Sequence, residues 1–172
     1  MFLSEPTKKY KQSFIEAMRE TEEESSDPDI HKRITEAEQD FDKYLDGLKE
    51  QEKDKNLKPE HVPQTTYWLI DNDEYIGAVR IRHSLNEALM KEGGHIGYDI
   101  RPSKRKLGYG SKILELVLPK AKILGITKAL LTCNSTNTGS IKIIEKNGGI
   151  LWDKIPGGVD KPDKLRYWIE IK

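Results

Sequence analysis

Arg105-Lys106-Leu107-Gly108-Tyr109-Gly110-Ser111 is the stretch on which the fold of this chain turns. It follows the short apolar run Ile96-Gly97-Tyr98-Asp99-Ile100 and precedes an amphipathic pattern, so it reads as strand, glycine loop and helix. Glycines let a backbone approach an anion closely. The first N–H groups of a helix have no partners inside it, and the helix dipole adds about half a positive charge there. A pyrophosphate would satisfy all of these groups at once. For an isolated G-x-G, a capped helix start on a solvated basic loop is the plainer alternative.

The neighbours weigh against that alternative. Residues 96–146 read strand, loop, helix, strand, polar break, helix. The first helix carries Ile113, Leu114, Val117, Leu118, Ala121 and Leu124 on one stripe that continues through Pro119, which predicts a kink and not a break. Gly125 ends it, residues 126–133 form the next strand, and Asn134 and Asn137 mark the polar junction. R-x-x-G-x-G after a strand resembles the acyl-CoA loop of the GNAT superfamily of N-acetyltransferases. Asn137-Thr138-Gly139-Ser140-Ile141-Lys142-Ile143-Ile144-Glu145-Lys146-Asn147-Gly148 resembles that family's second helix motif at nearly every position, except that Ile144 stands where a tyrosine is common. The family's order of elements can be laid on residues 67–155 without a gap, and more loosely on residues 3–172.

The resemblance implies an α/β fold: a mixed, mostly antiparallel central sheet of about six to seven strands with helices on both faces, two of them near the N-terminus, in one domain over residues 1–172. It implies that the strands at 96–100 and 126–133 splay apart to admit the pantetheine arm of acetyl-CoA. Backbone groups of Tyr98, Asp99 and Ile100 would pair with the arm. Arg105 and the N–H groups of Lys106, Leu107, Gly108, Tyr109, Gly110 and Ser111 would hold the pyrophosphate. Asn134 and Asn137 would keep the arm near the thioester, and Ser140 and Lys146 belong to the same expected cofactor set.

The activity implied is transfer of an acetyl group from acetyl-CoA to a primary amine of a small molecule or peptide, by direct attack in a ternary complex, in a monomer or homodimer and without a metal. An alkyl amine has a pKa near ~10.4 and needs a base before it can attack. Asp99 and His95, on one face of their strand, are the candidate bases. With Ile144 in the tyrosine's place, the hydroxyl of Tyr98 or Tyr109 is the candidate acid, unless the thiolate leaves unaided. A non-catalytic acyl-CoA-binding module of the same fold is the alternative, as is an interaction protein working through its N-terminal helices.

Composition bounds these readings. The chain of 172 residues has 35% hydrophobic and 34% charged residues and zero formal charge, so no net field favours nucleic acid, and phosphate affinity must be local. The single cysteine, Cys133, ends an apolar strand, excludes an internal disulfide and reads as a buried thiol. No apolar run approaches the about 20 residues of a membrane span, and Met1-Phe2-Leu3-Ser4-Glu5 lacks the regions of a signal peptide, so a cytoplasmic location without membrane contact is expected.

Elsewhere, Phe2-Leu3-Ser4 reads as an edge strand and Glu5-Pro6-Thr7 as a helix start leading to Tyr10, Phe14, Ala17 and Met18. The stripe Ile30, Ile34, Ala37, Phe41, Tyr44, Leu45 and Leu48 reads as one further helix. Residues 53–64, with Pro59 and Pro63, read as a linker. Asp71-Asn72-Asp73-Glu74 has the residues of a hairpin turn between two alternating strands, the second placing Arg80 and Arg82 on one face. Two further strands are expected, at residues 150–152 and 165–171. The acceptor cleft implied by the resemblance lies near residues 21–32 and 156–164. Acids there (Glu22, Glu23, Glu24, Asp27, Asp29, Asp160, Asp163) lean towards a cationic amine.

Overall fold

Asn72 and Asp73 both take left-handed backbone conformations (φ 49° and 61°), which a two-residue hairpin turn requires, and they join β2 (Gln64–Asp71) to β3 (Glu74–Arg82). The computed structural model describes residues 1–25, 29–53 and 61–172. Pro59 and the acid Asp27 lie outside the described residues. β1 (Phe2–Ser4) pairs antiparallel on the outer side of β2, and after the short helix α4 (Glu87–Lys91) β4 (Ile96–Ile100) pairs antiparallel with β3. The second half of the sheet has the order β5 (Lys128–Asn134), β7 (Lys164–Glu170), β6 (Ile150–Ile155), again antiparallel throughout. Seven strands thus form two parts, of four and three.

Two cores flank the sheet. Ile113, Leu114, Val117 and Ala121 of α5 (Tyr109–Ile123) and Ile144 of α6 (Thr138–Lys146) bury against Leu69, Val79, Ile81, Leu131, Tyr167 and Ile169. α5 runs unbroken through Pro119. On the other face, α1 (Lys11–Glu24), α2 (Ile30–Gln39) and α3 (Phe41–Glu50) close over Trp68, Ile70, Tyr75 and Ala78. Phe14 stacks on Trp68 at 4.8 Å and meets Tyr75 edge-on at 5.2 Å, contacts that each add about 0.5–1.5 kcal/mol beyond their buried area.

Among the described residues, the N-terminal region holds three helices where two are expected. The stripe from Ile30 to Leu48 is interrupted at Asp40, whose backbone is extended (φ −145°, ψ 90°) and whose carboxylate accepts the Lys43 N–H at 3.0 Å. The acid caps a new helix instead of continuing the old one, a competition that periodicity does not register. α1 also starts later than Pro6 predicts: Thr7 is extended and a 3₁₀ turn, Lys8–Tyr10, precedes it.

The two halves of the sheet touch at one point and then part. Gly94 bridges Leu131, the His95 N–H donates to the Leu130 carbonyl at 2.7 Å, and His95 Nδ1 accepts the Leu130 N–H at 2.9 Å. Gly94 is left-handed (φ 64°), and a Cβ there would overlap the Leu130 carbonyl oxygen. Beyond this apex, β4 and β5 share no ladder.

A second device ties α1 to the end of β4. Arg101, 7% exposed, places its guanidinium between Glu20 of α1 and Glu74 of β3 and also donates to the Tyr75 carbonyl at 3.3 Å. The Glu20 carboxylate takes the Ser103 N–H at 3.1 Å as well. Arg101 beside it, and then that N–H, pull its pKa down from 4.5 to about 2, against the opposing effect of burial.

Two outcomes follow from these contacts. Gly94→Ala should lower stability by about 2–4 kcal/mol, from backbone strain plus overlap, whereas Gly125→Ala, at φ 84° but facing open space, should cost about 1. Equal costs in urea denaturation would remove Gly94 as the contact point. For Glu20 the folded pKa lies below the unfolded one, so its contribution is complete above about pH 4.5 and is lost as pH falls towards 2. Glu20→Gln should therefore destabilise by about 1–3 kcal/mol at pH 7 and flatten the stability profile between those two values.

Candidate active site

The register of β3 and β4 decides which backbone groups are free. Ala78 faces Asp99 and Arg80 faces Gly97, and the ladder continues with Arg101 N–H to Ile76 carbonyl (2.9 Å) and Arg82 N–H to His95 carbonyl (2.8 Å). In an antiparallel pair such positions alternate, so Asp99 and Gly97 turn their backbone groups to β3 while Tyr98 and Ile100 turn theirs into the gap towards β5. Of the three expected residues, therefore, Tyr98 offers both backbone groups there and Ile100 its N–H, since the Ile100 carbonyl accepts from Arg105 Nε at 3.1 Å. Asp99 spends its own on β3.

A cavity of about 250 Å³ lies at this gap, lined by Gly97, Tyr98, Leu131, Thr132, Ser140, Ile144 and others. The Tyr98 hydroxyl is buried with no hydrogen-bond partner among the described residues. Burial pushes its pKa up to about 12, with the Ser140 side chain pulling the other way. Ile144 is fully buried, so this part of α6 presents only hydrocarbon. The Tyr109 hydroxyl, the other candidate acid, donates to Asp71 at 2.9 Å.

Next to the gap, the loop into α5 has the shape of an anion cradle. Lys106 (φ 62°) and Gly108 (φ 90°) are left-handed, and none of the N–H groups from Lys106 to Ser111 has a partner among the described residues. A Cβ on Gly108 would meet nothing within 4 Å, so its glycine serves backbone conformation. At Gly110 a Cβ would lie 2.5 Å from Ile143 Cδ1, so this glycine serves the packing of α5 on α6, not only an approaching phosphate. These residues fit a pyrophosphate through backbone donors. Arg105 is occupied otherwise: Nε donates to the Ile100 carbonyl at 3.1 Å and Nη1 pairs with Glu24. Leu107 is 66% exposed.

The remaining expected residues take these places. Asn137 caps α6, its Oδ1 accepting the Ser140 N–H at 3.0 Å, so its side chain organises the helix. Asn134 is exposed at the end of β5, its carbonyl taking the Asn137 N–H at 2.9 Å. Lys146 is exposed in the last turn of α6, whose neighbour Asn147 donates to the Ser111 carbonyl at 3.2 Å and so holds that turn against the start of α5.

On the opposite face of β4, Asp99 Oδ1 accepts from Arg80 Nη1 at 2.8 Å while Oδ2 has no partner among the described residues. His95 is not available as a base in this geometry. Its Nδ1 is engaged by Leu130, which leaves the proton on Nε2, and burial lowers its pKa. Burial raises the Cys133 thiol, in keeping with an inert side chain. Among the described residues, no cluster of three or more His, Cys, Asp or Glu is placed to hold a metal, and no helix is long and apolar enough to cross a membrane.

Sequence reasoning missed Arg101, Arg80 and Glu20. Of the α1 acids expected at the acceptor cleft (Glu22, Glu23 and Glu24), Glu24 instead joins Glu20 in clamping the loop after β4. Glu22 pairs with His31 at 2.7 Å and Asp163 with Lys154 at 2.8 Å. No local signal points to the partners of Glu20 and Glu24, because Arg101 and Arg105 each lie 81 residues away in sequence.

Residues 11–150 match the profile of an acetyltransferase (GNAT) domain. No curated protein matches the sequence. Among solved structures, Mycobacterium smegmatis RimJ in complex with CoA-disulfide shares 14% identity and a TM-score of 0.72, over 98% of this chain and 80% of that one. A Salmonella typhimurium acetyl transferase that modifies the N-terminal serine of a 50S ribosomal subunit protein shares 15% identity and a TM-score of 0.68, over 99% and 94%. Spermidine N-acetyltransferase SpeG from Vibrio cholerae shares 16% and 0.56, over 76% and 75%. At these identities the likeness is one of fold. The profile, however, spans most of the sequence, and with the parted strands beside a glycine loop it establishes that the chain belongs to the GNAT family of acetyltransferases.

Proposed function

We propose that residues 1–172 form one N-acetyltransferase domain that moves an acetyl group from acetyl-CoA to a primary amine by direct attack in a ternary complex. The observation that carries this reading is the backbone of Tyr98 and the N–H of Ile100, turned away from β3 where the strands part beside a cavity that Tyr98 lines, followed by the N–H groups of residues 106–111, which have no partner among the described residues. Tyr98 and Ile100 backbone groups would take the amides of the pantetheine arm, and the loop N–H groups the pyrophosphate. The RimJ structure, which holds a CoA disulfide, supports this use of the fold.

Consecutive residues of a strand point to opposite faces, so Asp99 and Tyr98 approach the gap from its two sides. On the Asp99 side the amine loses a proton to Oδ2, directly or through water, and its nitrogen forms the new bond to the thioester carbon as the carbon–sulfur bond breaks. Developing charge on the carbonyl oxygen falls near the Ile100 N–H. On the Tyr98 side a hydroxyl with a pKa of about 12 stays protonated at neutral pH. Full transfer to a thiolate of pKa roughly 8.5 is uphill, so Tyr98 stabilises the leaving sulfur by donating a hydrogen bond, and the thiolate takes its proton from water.

A non-catalytic CoA-binding role is the second reading, favoured by the hydrocarbon surface at Ile144. Calorimetry with acetyl-CoA and thiol release with a panel of amines separate the two: binding without release from any amine would leave only the second.

Asp99→Asn should lower turnover by about two to four orders of magnitude with acetyl-CoA affinity unchanged, the range for a lost general base. Full activity in that variant would remove Asp99 from the role. Tyr98→Phe should lower the maximal rate by about tenfold and leave the shape of its pH profile below pH 9 unaltered, since the lost group does not titrate there. An unchanged rate would mean that the thiolate departs unaided.

A further inference from the structure

The cavity of about 250 Å³ at the gap is lined from both faces of the sheet. Tyr98 and Ile144 line it on the α6 side, and Arg82, Thr132 and Lys164 on the other, beside the turn that follows α4. Of the charged side chains there, Lys164 pairs with Glu92, whereas Arg82 has no carboxylate partner among the described residues. We propose that this cavity takes a carboxylate at the far end of the donor's acyl chain, so that the enzyme transfers a dicarboxylic acyl group, such as succinyl, from CoA as well as acetyl. The inference rests on the transferase reading above and names a second class of donor.

Charge decides the class. A guanidinium drawn from water without a counter-charge is costly. Arg82 is half-buried and donates only from Nη1, to the carbonyls of Gly93 at 3.2 Å and Gly94 at 3.0 Å. Burial, and then the nearby Arg80, lower its pKa, whereas Asp99 raises that of Arg80 and Asp153 that of Arg166. Nε and Nη2 have no partner among the described residues, and they form the edge of a guanidinium that takes a carboxylate by two parallel hydrogen bonds. The Thr132 hydroxyl accepts the Gly93 N–H at 2.9 Å and keeps its own proton for a further acceptor. Arg82 and Lys164 against Glu92 leave the lining with one uncompensated positive charge.

Position favours the donor over the acceptor as the source of the carboxylate. The loop of residues 106–111 follows the C-terminal end of β4, so an arm entering there runs along β4 past Ile100 and Tyr98 towards the apex at Gly94 and Leu131. Arg82 lies further along that line: a Cβ on Gly97 would meet its Nη1 at 3.7 Å and its Nη2 at 4.0 Å. A separate cavity of about 300 Å³ on the α1–α3 side, lined by Asp99 with Arg80, Phe14 and Met18, is where the reading above sets the acceptor's amine, and it shares no lining residue with the first. An acyl chain longer than acetyl therefore points at Arg82. The amine nitrogen still bonds to the thioester carbon as the carbon–sulfur bond breaks, its proton goes to Asp99 and the thiolate takes one from water. The terminal carboxylate stays on Arg82 and ends the amide product as a free acid.

The test uses S-carboxypropyl-CoA and S-butyl-CoA, thioethers of equal length that do not hydrolyse, in calorimetry on the full chain, and succinyl-CoA against acetyl-CoA for thiol release with a panel of amines. The carboxylate should strengthen binding about tenfold to a hundredfold, and Arg82→Met should bring that ratio close to one. The ratio cancels any change in CoA binding that follows from losing the Gly93 and Gly94 bonds. Arg82→Lys should restore part of the preference, which a merely structural role would not do. Gly97→Ala, whose methyl would rest on the guanidinium at ordinary contact distance, keeps the charge and narrows the site, and should lower the ratio in a protein that folds even where Arg82→Met does not. A ratio near one in the unsubstituted protein, a ratio unmoved by these variants, binding of neither probe, or thiol release from acetyl-CoA but not from succinyl-CoA would overturn the proposal. The expected ratio with release from neither thioester would sustain the anion site and sink the transferase reading instead.

Discussion

Two neighbouring strands that do not pair leave backbone donors and acceptors that must find partners elsewhere, and this molecule is arranged around that deficit. β4 and β5 meet at Gly94 and Leu131 and then separate, so the groups that Tyr98 turns away from β3 face a cavity and not a strand, and of Ile100 the N–H is left without a strand partner. Unpaired backbone groups in a sheet are costly unless water or a ligand with its own amides meets them. The apex therefore has to be fixed closely. A glycine without a Cβ, a carbonyl bond and a histidine ring bonded to the opposite strand together hold the angle at which the two halves open.

The pleat of β4 then sorts the chemistry. Tyr98 looks towards α6 and Asp99 towards α1–α3, so an acyl group lying in the gap has a hydroxyl on one side and a carboxylate on the other without any long-range adjustment. This bears on Ile144. A helix hydroxyl at that position would share the cavity with the Tyr98 hydroxyl, which is buried there and has no partner. Isoleucine in its place keeps the core of α6 apolar and leaves the strand tyrosine's hydroxyl without competition from the helix at that point of the cavity.

Much of this was legible in the chain because it depends on local chemistry. The Asn72-Asp73 turn, the glycine loop after a short strand, the Gly125 helix end and the stripe of α5 each announce themselves within a dozen residues. The break at Asp40 was not legible, since a capping aspartate and a solvated one look alike inside a continuing stripe. Nor was the fate of Arg105, read as a phosphate ligand on its spacing from Gly108 and found clasping Ile100 and Glu24. Gly110 fell between the two: its loop position was legible, but its contact with Ile143 depends on how α5 and α6 cross.

The acids of α1 show why net charge is a poor guide to a site. The chain is formally neutral, and the run from Glu20 to Glu24 looks like an attractor for cations. Two of those residues pair instead with arginines of the segment after β4, Glu20 with Arg101 and the exposed Glu24 with Arg105. Glu20 shares with Glu74 the neutralisation of a nearly buried Arg101, and removing it would leave Glu74 alone against that guanidinium in a place where an ill-compensated charge is expensive. α1 is thereby fastened at its C-terminal half to the loop that follows β4, while Phe14 and Met18 of the same helix wall the cavity on the other face. With its carboxylates drawn to the loop, the helix presents hydrocarbon and aromatic surface to that cavity. The charged side chains that reach that cavity are those of Arg33, Arg80, Arg105 and Asp99.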